Sequence, residues 1–232
     1  VRIRIRPAHV SLRTLAFLST AFALWIADPV RAAEPVATNR FEAEIRAMAR
    51  RDATNPPPAE PILFAGSSSI RLWKTLKDDF PGLPVVNNGF GGARMVDLLP
   101  AFDRVIAPYK PPVLIVYCGE NDLGKGRDPN ARSRDPIETA DDYVELFRRC
   151  RALRPDMKIA VIPMKPSIRR WAHWYEMKLG NARIAEHCAA AGVELIDIVT
   201  PMLGPDGLPR PELFVADKLH MSDAGYRIWT RL

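Results

Sequence analysis

The chain has 232 residues, 47% hydrophobic and 26% charged, which fits one globular domain with a filled core and excludes a disordered or fibrous protein. Three cysteines, Cys118, Cys150 and Cys188, are too few for a disulfide-stapled scaffold and fit no zinc spacing; at most one bridge could form. The net charge is +6, but residues 1–32 hold five arginines against one aspartate, so the remainder carries only +2 and gives no electrostatic case for nucleic-acid binding.

Residues 1–32 read as a secretory signal peptide. A basic stretch ends at Arg13, an apolar run extends from Leu15 to Ala27, and Val30-Arg31-Ala32 offers small residues before a cut after Ala32. That run is thirteen residues, against the ~20 that cross a hydrocarbon core. It therefore predicts no stable membrane anchor once cleaved, and no cysteine follows the cut to accept a lipid. The 200 residues left after cleavage are expected in a bacterial periplasm or outside the cell.

Residues 33–60 are expected to form an N-terminal helix and a connector. The helix is predicted over Asn39–Arg51, with Phe41, Ile45 and Met48 on one face. Thr54-Asn55-Pro56-Pro57-Pro58 then favours extended, stiff backbone. Over residues 61–232, short apolar runs alternate with helical patterns. Strands are predicted at Ile62–Ala65, Val85–Val86, Val113–Tyr117, Ile159–Ile162 and Val193–Ile196. Helices are predicted at Ile70–Asp79, Met95–Ile106, Thr139–Leu153, Trp171–Ala191 and from Asp223 to the end. Such alternation implies a parallel sheet covered on both faces, and continuous apolar strands such as Val113-Leu114-Ile115-Val116 agree with burial on both sides. In open parallel sheets, ligands bind beyond the carboxyl ends of the strands. The residues just after each strand are therefore the candidates for chemistry.

Gly66-Ser67-Ser68-Ser69 follows the first strand and leads into a helix, where a serine can be a plain N-cap or a hydroxyl beside free N–H groups. Asn87-Asn88-Gly89-Phe90-Gly91-Gly92 follows the second, and its glycines permit either a tight turn or N–H groups aimed at a ligand. Gly119-Glu120-Asn121-Asp122 follows the third, and its amide can close an Asx-turn or donate to an oxyanion. Near the C-terminus lies Asp217-Lys218-Leu219-His220. A serine nucleophile needs an imidazole base, and the imidazole needs a carboxylate to fix its tautomer. Of four histidines, His9 lies in the signal peptide, His187 falls mid-helix, and His173 sits among Trp171, Trp174 and Tyr175 with no acid close before it. His220 alone has an aspartate three positions upstream in a predicted loop.

These four blocks, in this order, resemble the SGNH hydrolases of the GDSL esterase/lipase superfamily from about Ile62 to the C-terminus. The resemblance implies a flavodoxin-like three-layer α/β/α sandwich with about five parallel strands. It implies Ser68 as nucleophile, His220 as base and Asp217 as the residue orienting that base. The implied oxyanion donors are the backbone N–H groups of Ser68 and Gly92 and the side-chain amide of Asn121. No metal or organic cofactor is implied. The usual Asp before the nucleophile is Ser67 here, and Phe64–Trp73 is similar to a Gly-Ser-Ser-Ser subset akin to platelet-activating-factor acetylhydrolase-like esterases.

That likeness implies hydrolysis of short-acyl esters of a small molecule, carbohydrate or lipid. The alternatives are acyl (O-acetyl) transfer to a carbohydrate, or an inert carbohydrate-binding protein in which Trp171, Trp174 and Tyr175 stack on sugar rings. A helix-packing role is the plainer expectation for those aromatics. The segment Leu123–Asp135, with Lys125, Arg127, Arg132 and Arg134, can shape the site entrance, with a solvated loop as the default expectation.

Overall fold

A computed structural model describes residues 40–124 and 132–232; the expected signal peptide, Lys125 and Arg127 lie outside the described residues. Five strands, β1 (Ile62–Gly66), β2 (Val85–Gly89), β3 (Val113–Tyr117), β4 (Lys158–Ile162) and β5 (Glu194–Leu195), form one parallel sheet in the order β2-β1-β3-β4-β5. This is the flavodoxin-like order, in which the sheet reverses its direction of winding between β1 and β3. The register pairs Gly66 with both Gly89 and Tyr117, so the first three strands end side by side.

Period-two alternation divides the sheet between two cores. Leu63, Ala65, Leu114, Val116 and Val161 enter one hydrophobic cluster, while Phe64, Tyr117 and Ile162 enter the other. The first is covered by α1 (Glu42–Thr54), α4 (Met95–Val105), α5 (Pro136–Leu153) and α6 (Trp174–Ala191). The second is covered by α2 (Ser68–Arg71), α3 (Leu76–Asp79), α7 (Val199–Met202) and α8 (Asp223–Arg231). The three-layer sandwich expected from the sequence is present. Each fully buried Leu, Ile or Phe stabilises it by roughly 1.5–3 kcal/mol.

Phe41, Ile45 and Met48 are all buried in the first cluster, as their spacing predicts, and Phe41 meets Phe90 edge-on at 4.9 Å. Cys118, Cys150 and Cys188 are free and buried. Among the described residues, no helix is long and apolar enough to cross a membrane.

Two predicted helices are corrected. The stretch 70–79 is not one helix but two single turns, α2 and α3. Between them Trp73 is buried against Phe64, Tyr226 and Trp229, and Asp79 accepts hydrogen bonds at 2.6 Å from both the Trp73 indole and the Thr75 hydroxyl. These side-chain bonds compete with the helical ladder. The helix expected from Trp171 begins as a 3₁₀ turn, Ile168–His173, with α6 following from Trp174. Arg170 breaks the ladder there with non-helical backbone (φ −113°, ψ 19°), and Arg169 N–H donates to Lys218 O at 3.0 Å instead.

Candidate active site

At the end of β1 the chain turns at Gly66, where φ is +128° and a Cβ would stand 1.9 Å from the Tyr117 carbonyl oxygen. Only glycine fits, because that oxygen is occupied by the N–H of Ser67 at 2.9 Å. Ser67 and Ser69 are buried, whereas Ser68 is half-buried and opens toward His220. The Ser68 Oγ lies 3.0 Å from His220 Nε2, and His220 Nδ1 lies 2.5 Å from Asp217 Oδ2. The helix here is a single turn, so what Ser68 gains is the local free N–H groups rather than a long macrodipole.

The Asp217–His220 loop is held by its own backbone. Asp217 Oδ1 accepts the N–H groups of Leu219 and His220, both at 2.9 Å, and Lys218 takes a positive φ of 60° to allow the turn. Val215 N–H to His220 O (2.9 Å) and a bridge between Phe214 and Met221 close a small hairpin around it. Burial pushes the Asp217 carboxyl up, but the His220 N–H, the His220 ring and the Leu219 N–H outweigh it and hold the pKa at about 2. The acid is therefore ionised at any working pH.

The glycine loop is tied from several sides. Phe90 N–H donates to Gly66 O at 2.9 Å, Gly91 N–H donates to Glu44 of α1 at 2.6 Å, and Gly92 adopts a φ of +81°. Asn87 and Asn88 are structural: their amides donate to Ile70 O and Val105 O at 2.6 and 2.8 Å. Neither Ser68 N–H nor Gly92 N–H donates to another described residue.

Asn121 does not close an Asx-turn. Its Nδ2 donates to Ala93 O at 2.9 Å and its Oδ1 accepts from Arg170 Nη2 at 2.7 Å. Next to it, Asp122 accepts Met95 N–H at 2.9 Å, fixing the start of α4, and pairs with Arg134 at 3.1 Å. Burial dominates over these partners and raises the Asp122 carboxyl to about 6.

The structure thus brings Ser68, His220 and Asp217 into contact, with Gly92 and Asn121 on the adjoining loops. It adds residues that sequence reasoning missed, Glu44, Arg170 and Lys165, the last forming a buried pair with Glu120 of the third block. Lys165 and Ser167 follow β4, so the strand-end rule applied to β1–β3 reaches them if extended to the fourth strand. Glu44 and Arg170 carried no local signal.

Arg134 is not a solvated loop residue, since it pairs with Asp122 and Asp142. Trp171 stacks on the buried Trp174 at 5.6 Å, whereas Tyr175 is 66% exposed. The three do not form one open platform. His187 bonds Asp141 at 2.7 Å, on the far helix pair. Among the described residues, no group of three or more His, Cys, Asp or Glu is placed to hold a metal ion.

A model of the GDSL-like lipase/acylhydrolase family matches residues 58–228. Among solved structures, a GDSL-like lipase from Bacteroides thetaiotaomicron is similar with a TM-score of 0.69 at 19% identity, covering 82% of this chain and 95% of that one. A Streptococcus pneumonia protein assigned as a platelet activating factor gives 0.68 at 21% identity, covering 82% and 89%. A variant of an acetyl-xylooligosaccharide esterase from Geobacillus Stearmophilus gives 0.62 at 18% identity, covering 74% and 91%. No curated protein matches the chain in sequence at a significant level.

Proposed function

The chain belongs to the GDSL-like lipase/acylhydrolase family, and on that premise we propose that it is a serine esterase cleaving short-acyl carboxylic esters through an acyl-enzyme on Ser68. The observation that carries this reading is the line of contacts from Ser68 Oγ to His220 Nε2 (3.0 Å) and from His220 Nδ1 to Asp217 (2.5 Å) at the ends of the strands. With Nδ1–H donating to an ionised Asp217, Nε2 carries the lone pair and accepts the Ser68 hydroxyl proton.

As Oγ attacks the ester carbonyl, the proton passes to Nε2 and Asp217 stabilises the imidazolium. Charge on the carbonyl oxygen is met by Ser68 N–H, Gly92 N–H and Asn121 Nδ2, and removal of one such donor costs ~3 kcal/mol at the transition state. His220 then protonates the leaving alcohol. Water attacks the acyl group through the same base, and the carboxylic acid leaves. His220 and Asp217 side chains are 25% and 42% exposed, which leaves water a path to the second step.

The acetyl ester named for one structural relative makes acetylated carbohydrate the first substrate class to try, beside lipid and small-molecule esters. A chain-length series of chromogenic esters should show turnover falling as the acyl group lengthens, and Ser68→Ala should abolish it without lowering the melting temperature. Labelling of Ser67 or Ser69 by a serine-reactive phosphonate would overturn the assignment. We also propose that residues 1–32 direct export to the periplasm or beyond; the N-terminal residue of protein recovered from that compartment should be Ala33, and retention of the whole segment in cytoplasm counts against it.

A further inference from the structure

A carboxamide has two ends of nearly equal shape and opposite chemistry. For Asn121 to meet a developing oxyanion, Nδ2 and not Oδ1 must face it. Two contacts bear on that choice. Nδ2 spends one of its two hydrogens on Ala93 O at 2.9 Å, and Oδ1 accepts from Arg170 Nη2 at 2.7 Å. A guanidinium only donates, so a flipped amide would set NH₂ against Arg170 and an oxygen against the Ala93 carbonyl. Both contacts would become repulsive.

Arg170 is itself held in place. Its side chain is 15% exposed; Nη1 donates to the backbone oxygen of Glu120, and Nε stands 3.7 Å from the Glu120 carboxylate. That carboxylate is anchored by Lys165, by the Tyr117 hydroxyl and by Ser167 Oγ at 3.0 Å. The fork geometry of arginine lets one group bond Glu120 O and Asn121 Oδ1 together, which a lysine ammonium on a flexible stem does not reproduce. The same 3₁₀ turn bonds the other half of the site, because Arg169 N–H donates to Lys218 O at 3.0 Å between Asp217 and His220.

We propose that Arg170 is a positioning residue that fixes the orientation of the Asn121 amide, so that Nδ2 is presented to the reacting carbonyl oxygen. The inference rests on the oxyanion role proposed for Asn121. Arg170 acts through that amide and so affects turnover rather than ground-state binding.

The test is a double-mutant cycle on the purified protein with a chromogenic acetyl ester, measuring kcat and KM separately. Arg170→Met should lower kcat by on the order of 10²-fold, as misplacement of a catalytic group does, with KM within about twofold (~0.4 kcal/mol) of wild type. In an Asn121→Ala background the same substitution should change kcat by no more than about twofold, since the amide to be oriented is gone. Should Arg170→Met fail to fold, Arg170→Lys takes its place in both backgrounds, with a smaller loss that again disappears without Asn121. Equal losses in the two backgrounds, or no loss in either, would overturn the positioning role while leaving Asn121 as a donor. If Asn121→Ala itself leaves kcat unchanged, the oxyanion reading falls, and this inference with it.

Discussion

Two acid–base pairs, both touched by the 3₁₀ turn at Ile168–His173, live under opposite conditions. Asp217 and His220 are 42% and 25% exposed, on a hairpin held mostly by its own backbone bonds. Glu120 and Lys165 are 5% and 1% exposed, and the Glu120 carboxylate also accepts from the Tyr117 hydroxyl and Ser167 Oγ. Burial raises the Glu120 carboxyl, but the charges of Lys165 and Arg170 more than reverse this and hold it below the usual range. A proton that must come and go needs a partner near water. A pair whose charges are locked together by desolvation is suited to holding a frame. On the proposed mechanism the first pair carries the chemistry and the second holds the geometry.

The comparison can be broken at each end. Removing the exposed base should give the largest effect: His220→Ala should cost on the order of 10⁶-fold in turnover. Its melting temperature should stay close to wild type, because Asp217 keeps its backbone N–H bonds. A variant that retains full activity would remove His220 from the mechanism.

Removing the buried cation should do the reverse. Lys165→Met strands the Glu120 charge and should cost about 3–5 kcal/mol of unfolding free energy in urea titrations. Glu120→Gln combined with Lys165→Met should recover much of that loss. Simple additivity of the two single losses would show that the pair is not coupled.

Between these extremes stands Asn121. Asn121→Ala should lower turnover by ~10²–10³ with a much smaller change in KM. Asn121→Asp should be at least as damaging, since it sets a carboxylate against a developing negative charge. A stable, active Asn121→Asp enzyme would exclude the oxyanion role.

The smallest effect sharpens the comparison through pH. Asp122 is also buried, but its folded-state pKa is raised to about 6, above the unfolded value of 3.8. The folded protein therefore binds this proton more tightly, and the associated stability is full below pH 3.8 and lost as pH rises through about 6. The melting-temperature advantage of wild type over Asp122→Asn should shrink across that window. A difference that stays flat or grows would mean the Arg134 and Met95 bonds outweigh the desolvation.

Much of the molecule was legible locally. The alternation of Leu63 and Ala65 with Phe64, and of Leu114 and Val116 with Tyr117, follows from a two-residue period and assigns each side chain to one face of the sheet. The same holds for Phe41, Ile45 and Met48 on α1. The strand-end rule then points to residues 66–69, 87–92 and 119–122, the family resemblance picks Ser68, Gly92 and Asn121 out of them, and a carboxylate three residues before an imidazole isolates Asp217 and His220. What the sequence could not decide depends on contacts between distant segments. By local position alone, three serines in a row are equivalent; the fold buries Ser67 and Ser69 and turns Ser68 toward a histidine 152 residues away. The interruption of the predicted helix at 70–79 follows from aromatic packing against Tyr226 and Trp229, and Arg170 has no role until a 3₁₀ turn carries it to Asn121. Periodicity fixes which face a residue takes because backbone geometry is local. Partners as distant as Arg170 and Asn121, 49 residues apart, meet only through the packed whole, and that is where their geometry is decided.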